Sequence, residues 1–173
     1  RLVLAAPPGT GKSTQVPQIL MPEPGSQALV LQPRRIAARN LAMRVAAERG
    51  EAVGQAIGYQ VRFEQAVGPA TRVRFQTYGV AWQQLLREPL LPGVSLVVLD
   101  EFHERALEAD ALLAWIRRLQ AGPRPELKLV VMSATLETDA LRAYLDDPPF
   151  LEIDARPHPV AIEHVPPRPG EPA

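Results

Sequence analysis

Short, almost uninterrupted apolar runs alternate along the chain with longer stretches of helical period. Residues 2–6, 28–31, 95–99 and 127–132 are such runs, and runs of this length between turn residues fit strands buried on both faces. Residues 56–64 (Ala-Ile-Gly-Tyr-Gln-Val-Arg-Phe-Glu) and 72–77 alternate instead, the period of a strand. Helices are predicted over 12–20, 36–49, 80–87, 107–120 and 138–145. In the second of these, alanines with Leu41 and Val45 make an inner face, while Arg35 and Arg39 share another. In the fourth, Leu112, Trp115, Ile116 and Leu119 form a stripe at helical spacing. Gly and Pro punctuate the units, as at Pro22-Glu23-Pro24-Gly25, Gly68-Pro69, Pro92-Gly93 and Gly122-Pro123. Two more short runs, 150–153 and 160–165, follow, and the stretch from 166 reads as linker or disordered chain. Strands alternating with helices predict an α/β fold, a mostly parallel sheet with helices on both faces.

The first predicted strand runs into Pro7-Pro8-Gly9-Thr10-Gly11-Lys12-Ser13-Thr14. Strand, glycine turn, lysine, hydroxyls and helix follow in the order of a phosphate-binding P-loop. Glycines let backbone N–H groups close around phosphate oxygens, and the helix N-terminus faces the same anion. Lys12 would reach the β- and γ-phosphates, and Ser13 would ligate Mg²⁺. Ala6 stands where the general pattern G-x-x-x-x-G-K-[ST] has its first glycine. The other reading, a glycine-rich surface turn with one stray lysine, leaves the preceding apolar strand unexplained.

Residues 95–99 form the most apolar strand, and it leads directly into Asp100-Glu101-Phe102-His103-Glu104-Arg105. A carboxylate at such a strand end is costly without a partner. Mg²⁺ shared between Asp100 and Ser13 would remove that cost. Glu101, pointing the other way along the pleat, is the candidate base or water-orienting group. An acidic pair complementing a helix dipole is the alternative. His103 is a candidate for coupling or water positioning. Ser133-Ala134-Thr135, taken alone, suits a helix N-cap equally well. Lys12, Arg34, Thr77, Asp100 and Ser133 all follow strand ends, so they are expected along one edge of one sheet, where α/β proteins bind ligands.

The 173 residues suit one ordinary domain, and 46% apolar content suits a packed core. Formal charge is zero, so nucleic-acid contact requires a local patch rather than an overall basic field. Lys12 and Lys128 are the only lysines; the other cations are arginines, which suit bidentate phosphate contacts. There is no cysteine, which excludes disulfides and thiolate metal sites. No apolar run is long enough to span a membrane and no signal peptide is visible, so a cytoplasmic chain without membrane partners is expected. An opening directly on a core strand suggests a piece of something longer.

Together these stretches resemble superfamily 2 helicases. Ala6 to Ser13, Gln32-Pro33-Arg34-Arg35-Ile36-Ala37-Ala38, Asp100 to Arg105, and Ser133-Ala134-Thr135 look like motifs I, Ia, II and III, in order and in register. That superfamily tolerates alanine at position 6. The Q-P-R-R-I-A-A, G-Y-Q-V-R-F-E and D-E-x-H-E-R segments resemble its DEAH-box branch, and Phe102 with A-P-P-G-T-G-K-S-T-Q-V-P resembles the bacterial HrpB helicases within it. The resemblance implies a RecA-like first domain over 1–155. It also implies a linker over 156–173, including Arg156-Pro157-His158-Pro159-Val160, toward a second such domain. Gly9, Thr10, Gly11, Lys12, Ser13 and Thr14 would hold the ATP phosphates, and Ser13 with Asp100 would hold Mg²⁺. Glu101 would activate water. His103, Ser133 and Thr135 would couple nucleotide state to domain movement. Arg34, Arg35, Thr77 and Arg62 would contact single-stranded nucleic acid, RNA by the resemblance, and Arg44 would stack on the nucleotide base. Motif Ib departs from the family's Thr-Asp/Glu-Gly: here it reads Thr77-Tyr78-Gly79.

Other nucleotide enzymes fit poorly. There is no N-K-x-D guanine reader and no Leu-Ser-Gly-Gly signature, and small-molecule kinases lack the Q-P-R-R and D-E-x-H runs. A nucleotide-binding or interaction module without productive hydrolysis is the remaining alternative. Lys12, Asp100 and Glu101 together argue against it.

Overall fold

The strands are β1 (Leu2–Ala5), β2 (Gln27–Gln32), β3 (Ile57–Val61), β4 (Glu64–Ala66), β5 (Val73–Thr77), β6 (Val94–Leu99), β7 (Lys128–Ser133) and β8 (Phe150–Glu152). In this computed structural model, which describes residues 1–134 and 139–154, they form one sheet in the order β4-β3-β5-β2-β6-β7-β1-β8. Every neighbouring pair is parallel except the β3–β4 hairpin. The helices are α1 (Lys12–Ile19), α2 (Arg35–Glu48), α3 (Tyr78–Arg87), α4 (Leu107–Gln120) and α5 (Asp139–Tyr144).

Successive strand residues point to opposite faces, and both faces are covered, so neither can be polar. Leu29, Leu31, Val97, Leu99 and Val131 pack with Leu85 of α3 and with Leu112 and Ile116 of α4. Their neighbours in sequence, Ala28, Val30, Val98, Val130 and Met132, belong to the other core with Ala38, Ala42 and Val45 of α2. This two-sided burial is why the central strands read as continuous apolar runs.

Two elements differ from their sequence patterns. The alternating stretch 56–64 is two strands, not one. The chain reverses at Arg62 and Phe63, with Phe63 at φ 68 and 91% exposed. The hairpin is fastened by Glu64, whose Oε1 accepts from Tyr59 Oη at 2.5 Å and from Arg39 Nε at 3.1 Å. Alternation continues through the turn and conceals it. Helix α3 begins at Tyr78, not Val80, because Thr77 Oγ1 caps it by accepting from Val80 N at 3.4 Å. Gly79 therefore lies inside the helix. In the stripe of α4, Leu112, Ile116 and Leu119 are buried, with Ala109 and Leu113 beside them. Trp115 is half-buried and donates from Nε1 to the Pro89 carbonyl at 3.2 Å. The readings at 160–165, from 166 onward, and at Thr135 lie outside the described residues.

A candidate phosphate and metal site at the carboxyl edge of the sheet

The loop after β1 is built on two left-handed glycines, Gly9 at φ 83 and Gly11 at φ 81, a conformation that costs a side-chain-bearing residue free energy. Thr10 Oγ1 closes the turn by donating to the Pro7 carbonyl at 2.9 Å. Gly11 is the N-cap of α1 and no side chain caps that helix, so its N-terminus faces the loop, the arrangement that suits an anion.

Lys12 opens α1 and is only 5% exposed. Its Nζ lies 3.5 Å from Glu101 Oε1. The two are brought together across β7, which separates β1 from β6 in the sheet. The loop is tied to β7 as well, through the Ala6 amide donating to the Ser133 carbonyl at 3.0 Å.

Asp100 follows β6 and is fully buried. Its Oδ2 accepts from Gln32 Nε2 at 2.5 Å and its Oδ1 accepts from the Glu101 amide at 2.9 Å. Burial pushes its carboxyl above the usual range, against the opposing pull of the neighbouring Ser13 and Gln32 side chains. Among the described residues it forms no ion pair, and the Lys12 ammonium is directed to Glu101 instead. A buried carboxylate with no cationic partner, beside a serine hydroxyl, is an oxygen donor set that fits Mg²⁺. No group of three or more metal-ligating acids, histidines or cysteines occurs among the described residues.

Glu101 takes a left-handed backbone (φ 51, ψ 39), unusual for a residue with a side chain and found where surroundings over-determine it. Its Oε2 lies 3.5 Å from His103 Nδ1. The same nitrogen accepts from the Ala134 amide at 3.2 Å, which assigns the proton to Nε2. His103 thus joins the acidic motif to the segment after β7. Ser133 is 4% exposed at the end of that strand.

Arg34, Arg35, Arg62 and Thr77 lie at or just after strand ends along the same edge, whereas Arg44 lies in the later half of α2, away from it. Arg34, 74% exposed in its side chain, stands 3.4 Å from Glu104. Arg35 is exposed at the start of α2. Arg62 lies 4.8 Å over the Phe63 ring at the hairpin turn. Arg62 and Thr77 line one open cleft of about 850 Å³, together with Arg74 and Arg87. Arg44 is paired with Glu48 at 2.6 Å and is 70% exposed in its side chain. Glu48 also accepts from Gln15 and Gln18 of α1, so Arg44 borders the helix that follows the phosphate loop.

Two site residues escaped the sequence reading. Gln32 contacts Asp100 from 68 positions away, and its one trace in sequence is a polar residue closing an apolar strand. Tyr78 departs in sequence from the acidic residue of the family motif, and its hydroxyl donates to the Asp100 carbonyl.

With the lysine loop and the paired acids set on either side of β7, fold and site together define a P-loop domain of the RecA-like type. The sequence matches the DEAD/DEAH box helicase family over residues 1–143, and the chain belongs to that family. It is 44% identical over 168 residues to the ATP-dependent RNA helicase HrpB of Escherichia coli, covering 96% of this chain and 21% of that protein. It is 40% identical over 167 residues to the DExH-box ATP-dependent RNA helicase DExH1 of Arabidopsis thaliana, covering 92% and 17%. The crystal structure of the E. coli DEAH/RHA helicase HrpB superposes with a TM-score of 0.86 at 45% identity, over 92% of this chain and 21% of that one. The chain thus spans about a fifth of the length of these relatives. Among the described residues no helix is long and apolar enough to cross a membrane.

Proposed function

We propose that this chain is the ATP-binding part of a DEAH-box ATP-dependent RNA helicase. Residues 1–155 form its first RecA-like domain, and 156–173 lead to a second. The observation that carries this reading is the meeting of Lys12, Asp100 and Glu101 at one sheet edge. The names of the relatives support RNA as the nucleic acid.

Gly9 to Thr14 wrap the triphosphate with backbone N–H groups, and Lys12 turns its ammonium to the β- and γ-phosphates. Ser13 and Asp100 would hold Mg²⁺, which when bound would neutralise charge developing on the phosphate oxygens. Glu101 orients water and accepts its proton as the water oxygen bonds to the γ-phosphorus. The bond to the β–γ bridging oxygen breaks, releasing ADP and phosphate. His103, Ser133 and Thr135 relay the loss of the γ-phosphate to the domain interface. Arg34, Arg35, Arg62 and Thr77 hold the strand backbone, and Arg44 borders the base. A second domain would add arginine contacts worth about 10³–10⁵ in rate, so the chain alone turns over ATP slowly or not at all.

Steady-state ATP turnover by the full-length protein, with and without single-stranded RNA or DNA, tests this. Stimulation by RNA is expected; turnover indifferent to both polymers would overturn the helicase assignment.

A further inference from the structure

The peptide linking Asp100 to Glu101 is held at both ends. Its amide, that of Glu101, donates to Asp100 Oδ1 at 2.9 Å. Its carbonyl, that of Asp100, accepts from the Tyr78 hydroxyl. Tyr78, the first residue of α3, is 3% exposed and belongs to the core, so its hydroxyl is bonded in a buried place. Beyond this peptide the chain enters the left-handed backbone of Glu101. Rotating the peptide plane would swing the Glu101 carboxylate away from Lys12 and His103, so the tyrosine hydroxyl fixes where that carboxylate sits. Tyr78 also directly follows Thr77, which caps the same helix and lines the cleft beside Arg62.

We infer that Tyr78 is a positioning residue for hydrolysis: its hydroxyl fixes the Asp100–Glu101 peptide and ties the Thr77 edge of the nucleic-acid face to the water-activating acid. The inference rests on Glu101 being the group that takes the water proton, and the test separates the two.

The experiment measures RNA-stimulated phosphate release over a range of Mg-ATP up to saturation in the full-length protein, for the parent, Tyr78→Phe and Glu101→Gln. Turnover is counted per nucleotide-binding site, so loss of folded protein does not enter. For Tyr78→Phe, kcat should fall about tenfold, the effect of ~1.4 kcal/mol on the barrier, while KM for Mg-ATP stays within twofold. A Tyr78→Phe kcat within twofold of the parent, beside an inactive Glu101→Gln, overturns the role of Tyr78 alone. A fall in kcat with a parallel rise in KM also overturns it, because that marks a general loosening of the site. Full turnover by Glu101→Gln overturns the underlying reading, and the inference with it.

Discussion

Lys12 Nζ lies 3.5 Å from Glu101 Oε1, with the lysine almost wholly withdrawn from solvent. The cation proposed to bind phosphate is thus paired with the carboxylate proposed to take the water proton. On that reading a triphosphate competes with Glu101 for the ammonium. Glu101→Gln should therefore tighten nucleotide binding, by about three- to tenfold in Kd, because the ammonium loses a competitor. Lys12→Ala should weaken it by about 1.5–3 kcal/mol, the range for hydrogen bonds to charged groups. Calorimetric titration with Mg-ADP checks both directions.

Asp100 should cost the fold stability. Its carboxyl is raised in the folded protein, chiefly by burial, so over the interval above the ordinary carboxylate range the folded state holds more proton than the unfolded one. Stability therefore falls as pH rises through that interval, and below it the penalty vanishes. Asp100→Asn lacks the charge, and an amide flip of Gln32 can satisfy the new side chain. The variant should melt higher at pH 7.5, by about 2–4 °C for each kcal/mol gained. The gap should close as pH falls to 4. Thermal unfolding followed across pH checks this.

His103 Nδ1 is the acceptor for the Ala134 amide. His103→Ala leaves that amide without its partner, a loss of ~1 kcal/mol. Its native-state hydrogen exchange should quicken about fivefold, while amides in β1 and β6 keep their protection. Exchange resolved by residue checks the link between the acidic motif and the end of β7.

Arg62 sits at an exposed turn and shares a cleft with Thr77. If it meets a backbone phosphate, Arg62→Ala should weaken single-stranded RNA binding to a similar degree for all sequences. It should also reduce the slope of log K against log salt by about one contact's worth. Binding measured over a salt series checks this.

The parallel sheet and α4, which spans 107–120 as its stripe predicts, were legible because burial on two faces or on one stripe writes a period into the sequence. The phosphate loop and the acids were legible because their chemistry depends on neighbours in the chain. The β3–β4 reversal was not, since Arg62 and Phe63 are not turn-forming types and the alternation runs on through them. Nor were the contacts of Asp100 with Gln32 and Tyr78, which join residues 68 and 22 positions apart. A polar side chain at a strand end or helix start gives no sign of which distant group it will meet.

The most direct measurement is phosphate release by the full-length protein carrying Glu101→Gln, under conditions where Mg-ATP binding is shown to persist. Turnover is expected to fall by about 10²–10⁴, the range for removing a general base, with binding kept or tightened. Turnover equal to the parent's would contradict a hydrolytic site built on Lys12, Asp100 and Glu101.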